Sequence, residues 1–286
     1  MLDLVTEAFE PAFMQRALVG ALVAVVATSL VGTWVVLRGL AFLGDALAHG
    51  VIPGLALAVL WGFSPIAGAL GAALVMSGAV TLVSTRTVVR EETGIGLLFV
   101  GMLALGVIIV SRSETFTTDV TALLFGDVLG VTEGDIRGQL VATAVVVAVV
   151  ALGHRAFLAL TFNRDKAATL GLHPALAQGA LLAVLAVSIV ASFQAIGTLL
   201  VFGLLVGPPA TASLLVRRVP LMMLVSVVAG ALAVVVGLLV SFHHGTAGGA
   251  TIAGVAVAEF FAVLVGIEVR RWAAANAPTG ARRSPR

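Results

Sequence analysis

"LAFLGDALAHGVIPGLALAVLWGF", residues 40–63, is a continuous apolar segment that nonetheless carries an aspartate and, four residues later, a histidine. A bilayer hydrocarbon core of roughly 30 Å is crossed by about 20 helical residues, so this segment is long enough to span. Comparable runs fill the whole chain. Of its 286 residues, 60% are hydrophobic and 10% charged, and the mean hydropathy is +1.17. A water-soluble domain of this length must cover itself with polar side chains and cannot be so apolar. The fold class expected is therefore an all-α integral membrane protein, a polytopic bundle of about nine transmembrane helices, with eight possible.

Spans are expected at residues 16–37, 40–63, 65–85, 94–111, 138–153, 174–194, 197–216, 221–242 and 250–268. They leave no room for a soluble domain. Basic residues orient the set, because loops on the cytoplasmic side are enriched in Lys and Arg. Arg38, Arg86 and Arg90, then Arg155, Arg164 and Lys166, then Arg217–Arg218 and Arg270–Arg271 all fall on one side. The acidic N-terminus and "SETFTTDVTALLFGDVLGVTEGDI", residues 113–136, fall on the other. This places the N-terminus outside, the C-terminus in the cytosol, and the protein in the cell membrane as a multi-pass chain. Residues 1–15 are expected as an extracytoplasmic interfacial segment, with Leu2, Val5 and Phe9 on one face and Asp3, Glu7 and Glu10 on another. Residues 16–269 are expected to form the transmembrane bundle, and 270–286 a basic cytoplasmic tail suited to anionic lipid and not to nucleic acid. The apolar stretch 120–131 is too short to cross and is expected as a re-entrant or interfacial helix. The acidic start lacks a basic n-region and does not read as a cleavable signal peptide.

Absences narrow the function. No cysteine is present, so disulfides and thiolate metal ligands are excluded. The single lysine, Lys166 in "RDKAA", is incompatible with a phosphate-cradling Walker A loop, so ATP would have to be hydrolysed by another polypeptide. Neither the zinc-protease pattern HExxH nor a G-x-S-x-G nucleophile turn occurs.

Asp45 and His49 lie four residues apart and so project from one helix face. A carboxylate within a span costs about 2.5–3.5 kcal/mol to insert, so it faces a cavity or a partner. Pro53 has no N–H and withholds the helical donor from the carbonyl of residue 49. Carboxylate oxygen, imidazole nitrogen and no sulfur suit a divalent cation. The alternative is a neutral histidine bonded to a structural aspartate at a helix contact.

"RGLAFLGDALAHGVIPGLALA" (38–58), "TFNRDKAATLGL" (161–172) and "QAIGTLLVFGLLVGPPATASLL" (194–215) together resemble the ABC-type zinc/manganese uptake permeases. That resemblance implies Asp45 and His49 as metal-pathway ligands. It also implies a homodimer of permeases, a separate ATP-binding cassette subunit and an extracytoplasmic metal-binding protein. No permanently bound cofactor is expected; Zn2+ or Mn2+ is the transported substrate, and the nitrogen ligand leans towards zinc. A secondary metal transporter or channel, or a permease for iron chelates, are the alternatives.

Between two spans on the arginine-rich side, Asn163 is a plausible N-cap, Ala167, Ala168 and Leu170 a short helix, and Gly171 its stop. The resemblance makes this segment, 162–173 with Asn163, Arg164, Asp165, Ala168, Leu170 and Gly171, the coupling element to the ATPase; on composition alone it is an ordinary loop helix. Weaker metal candidates are His243 and His244 in "FHHGTAGG", and Glu259 in "GVAVAEFFAVLVG". Adjacent histidines point about 100° apart and rarely chelate one ion together. The acidic residue and proline usual in the family before this glycine are missing, so its entry residues do not carry over. Asp127 is read as capping or solvating the short outer helix, and His154 and His173 as packing or capping groups. Pro208 and Pro209 free the carbonyls of residues 204 and 205, which suits a hinge or a pore lining. Gly203 and Gly207, and the small residues of "AGALGAAL" (67–74), are read as close-packing positions.

Overall fold

The computed structural model describes residues 7–86, 91–111 and 130–276, apart from the side chains at 91, 164–166, 194, 195, 198 and 199. The outer stretch 120–131 and Asp127 therefore lie largely outside the described residues, as do residues 1–6 and most of the basic tail. No strand occurs among the described residues. The helices are α1 (Ala12–Leu37), α2 (Ala41–Gly50), α3 (Ile52–Trp61), α4 (Pro65–Arg86), α5 (Glu91–Ser111), α6 (Glu133–Phe162), α7 (Arg164–Thr169), α8 (Pro174–Ile196), α9 (Thr198–Leu215), α10 (Val219–His244) and α11 (Gly248–Ala275). Each expected span coincides with an apolar helix. Among the described residues, eight segments are long and apolar enough to cross a membrane, α2 and α3 together counting as one; α9 is shorter.

α1 is the hub, packed by α2, α6, α8, α9 and α10. Its sequence explains why: Gly20, Ala21, Ala24, Thr28, Gly32 and Thr33 are all buried, and small residues let backbones approach in lipid. The hydroxyls of Thr28 and Thr33 donate to the carbonyls of Ala24 and Ser29, both at 2.8 Å, so neither is a stranded polar group. Trp34 is fully buried and meets the rings of His154 and Phe157 edge-on at 5.4 and 5.8 Å. His154 is thus a packing residue, as expected.

The second span is broken at Val51, between α2 and α3. Pro53, near the start of α3, accounts for the break. The carbonyl of His49 instead receives the N–H of Val51. The donor that Pro53 withholds from this carbonyl is thus replaced locally. Below the break, α3 meets α4 backbone to backbone: a methyl group at Gly54 would run into the carbonyl of Gly68, and one at Gly68 into that of Gly54.

α9 contains both prolines. The carbonyl of Leu205, left without its helical donor by Pro209, rests against the Cα of Gly32 on α1, where no side chain would fit. This carbonyl serves helix packing and does not line a pore. On the opposite side, Gly203 and Gly207 sit on Ala253 and Ala256 of α11, the close-packing role expected for them.

α6 starts at a reciprocal cap. Thr132 Oγ1 accepts from the Asp135 N–H at 3.2 Å, while Asp135 Oδ2 accepts from the Thr132 N–H at 3.0 Å and its hydroxyl at 2.6 Å. Thr132→Ala is expected to destabilise this helix start by about 1 kcal/mol. Faster amide exchange confined to the first turn of α6 is the observable.

Candidate metal-transfer site

Asp45 and His49 lie one turn apart on α2, both half-buried. Among the described residues neither side chain has a hydrogen-bond partner, and Nδ1 of His49 is buried with none. The alternative of a histidine bonded to a structural aspartate is thus not realised. A buried polar atom left unpaired costs about 1–3 kcal/mol, which a water or an arriving ligand at the site would recover. Phe99 of α5 stands against His49 with ring centroids 6.1 Å apart, and meets Phe42 edge-on at 5.8 Å. This aromatic wall was missed in the sequence, where Phe99 is one of many apolar residues in its span. Behind the pair, Gly44 lies directly on the side chain of Leu205, so α2 leans on the proline-bearing α9.

No group of three His, Cys, Asp or Glu that could hold a metal occurs among the described residues. His243, His244 and Glu259 therefore do not complete the Asp45–His49 pair within one copy. The exposed imidazoles of His243 and His244 end α10, their Nδ1 atoms bonded to the carbonyls of Leu239 at 2.8 Å and Val240 at 3.1 Å. Glu259 is half-buried on α11, a helix that packs against α9 and α10. His173 occupies the N-cap position of α8 without a side-chain cap bond.

At the arginine-rich end, Asn163 follows α6, and its carbonyl accepts the N–H of Ala167 to start α7. Gly171 adopts the left-handed φ of 71° that stops it. The N–H groups of Gly171 and Leu172 close back on the carbonyls of Ala168 and Ala167, both at 3.0 Å. Ala167 is buried, while Ala168 and Leu170 are exposed. A groove of about 370 Å³ runs between this segment and the end of α6, lined by Arg155, Leu158, Phe162, Asn163, Leu170 and Leu172. With Phe162 and Leu170 exposed beside it, this end presents an apolar surface where water or headgroups would otherwise be met.

The bundle and its intramembrane acid–histidine pair define a multi-pass, all-helical protein of the cell membrane. The family model described as the ABC 3 transport family matches residues 10–267, and the chain belongs to that family. It is 32% identical over 265 residues to the "Chelated iron transport system membrane protein YfeD" of Yersinia pestis, covering 93% of this chain and 89% of that one. It is 30% identical over 249 residues to the "Manganese transport system membrane protein MntC" of Listeria monocytogenes, covering 87% and 89%. Among solved structures it resembles a chain of "PsaBC from Streptococcus pneumoniae in complex with Fab", with a TM-score of 0.80, 27% identity and coverage of 92% and 95%.

Proposed function

We propose that this chain is the permease subunit of an ATP-driven importer of a divalent transition metal, manganese ahead of zinc. The observation that carries the reading is the Asp45–His49 pair, held inside a span, without a hydrogen-bond partner among the described residues, its buried imidazole nitrogen included. One oxygen and one nitrogen ligand are half of a four-coordinate set or less. Two copies meeting at α2 supply two carboxylates and two imidazoles, a mixed set that suits manganese, iron or zinc. The name of MntC supports manganese, whereas one histidine per copy is a thin argument for zinc. Affinity at such a step stays modest, because a site that binds too tightly does not pass its ion on.

Energy enters from a separate ATP-binding subunit docked on the groove beside Asn163–Leu172, since the only lysine sits in no phosphate loop. A shift of α7 passes into α6 and α8, both in contact with it, and through them to α1. An extracytoplasmic metal-binding protein delivers the ion at the far end. ATP-driven uptake into vesicles, competed ion by ion, tests the substrate. Competition by Mn2+ ahead of Zn2+ supports this reading, and competition only by chelated iron, as the name of YfeD suggests for that relative, replaces it. Leu170→Asp is expected to lower metal-stimulated ATP hydrolysis at least about tenfold by charging a docking face, with manganese binding intact.

A further inference from the structure

An unbroken run of contacts joins the cytoplasmic groove beside α7 to the Asp45–His49 pair. On α6, Arg155 and Leu158 line the groove. From another face of the same helix, His154 and Phe157 meet the indole ring of Trp34, with centroids 5.4 and 5.8 Å apart. Phe157 has little slack there, because its ring fills the space that a side chain at Gly153 would need. Trp34 is itself fully buried. Two residues turn an α-helix through about 200°, so Gly32 lies nearly opposite Trp34 on α1. There the carbonyl of Leu205 on α9 rests on the Gly32 Cα. The side chain of the same Leu205 lies on Gly44 of α2, the residue before Asp45.

α1 is thus a strut with α6 on its Trp34 side and α9 on its Gly32 side. Neither joint is fastened by a strong directional bond. The indole Nε1 of Trp34 is buried with no hydrogen-bond partner among the described residues. Pro209 offers no N–H to the Leu205 carbonyl, which meets a Cα instead. The hydroxyls of Thr28 and Thr33 bond within α1. Close-packed joints of this kind transmit a push, because protein interiors compress little. They can also slide without breaking a hydrogen bond.

We propose that Trp34 and Leu205 are the positioning residues through which the ATP-binding subunit controls the metal pair, an inference that rests on the importer reading above. Displacement of the end of α6 presses Phe157 on Trp34, and α1 moves against α9. Leu205 then shifts α2 at Gly44, changing how far the Asp45–His49 pair stands from its counterpart in the second copy.

The test is the number of Mn2+ ions imported per ATP hydrolysed by the full permease–ATPase complex in proteoliposomes. Trp34→Leu and Leu205→Ala are each expected to lower this ratio about 2–30-fold, with Mn2+ binding retained. Trp34→Phe, which keeps an aromatic ring, is expected to preserve most of it. The two residues act in series, so the double variant is expected to fall no further than the lower single one. Leu238→Ala, an equally buried truncation on α10 outside the run, is expected to cost stability and leave the ratio alone. Should Trp34→Leu not be recovered folded, the emission of Trp34 takes its place, read with the exposed Trp61 and Trp272 changed to phenylalanine. ATP binding to the partner subunit is expected to shift that emission, equally in Leu205→Ala, which lies downstream.

Unchanged ratios in both single variants overturn the proposal, as does an emission that ATP leaves unmoved. Losses that multiply in the double variant put the two residues on separate routes and overturn it too. An equal loss in Leu238→Ala reduces the effect to general stability. A parent complex whose ATP hydrolysis ignores Mn2+ removes the importer reading itself, whereas a coupled parent with coupled variants removes the relay alone.

Discussion

Asp45→Ala and His49→Ala are each expected to cut metal uptake about 100-fold or more while the protein inserts and accumulates normally. Loss of groups that merely orient metal ligands already costs 10–100-fold, and removing a ligand should do no less. The second half of the expectation distinguishes this site from a structural one. Neither side chain holds a hydrogen bond among the described residues, so truncation leaves no partner stranded. An aspartate within a span carries an insertion cost of about 2.5–3.5 kcal/mol, which alanine relieves. The unfolding midpoints of both variants should therefore equal or exceed that of the parent. Transport lost and stability retained is the signature; uptake unchanged in both variants removes the assignment.

Gly68→Leu is expected to have the largest effect on folding, about 3 kcal/mol or more, with little folded protein recovered from membranes. Overpacking usually costs about 1–3 kcal/mol because side chains can shift aside. Here the obstacle is the backbone carbonyl of Gly54, which cannot rotate away without breaking α3. Gly54→Leu meets the carbonyl of Gly68 in the same way. Gly71→Leu, on the same helix but with open space beside it, should be tolerated. Monodispersity in size-exclusion chromatography of detergent extracts separates the two cases.

The spans were legible because span length follows from bilayer thickness and from little else. Pro53 was visible as a withheld helical donor in a span read as continuous, whereas the break at Val51 and the bond from the N–H of Val51 to the carbonyl of His49 came from the structure. The central position of α1 was not legible. Its small residues resemble those of other spans, and which helices gather round it depends on contacts between distant segments. The two prolines of α9 were visible, but the resting place of the Leu205 carbonyl depends on Gly32, more than 170 residues earlier. At the candidate site, acid and imidazole could be read from their spacing. The Phe99 wall and the unpaired Nδ1 needed three dimensions.

The claim on which the rest depends is that His49 and Asp45 hold the travelling ion directly. Electron–nuclear double resonance on Mn2+ bound to the permease–ATPase complex tests it most closely. The expected spectrum shows coupling from a directly coordinated imidazole nitrogen, abolished in His49→Gln and retained in variants of His243 and His244. A spectrum without nitrogen coupling, or one that His49→Gln leaves unchanged, would place the ion elsewhere and contradict the account.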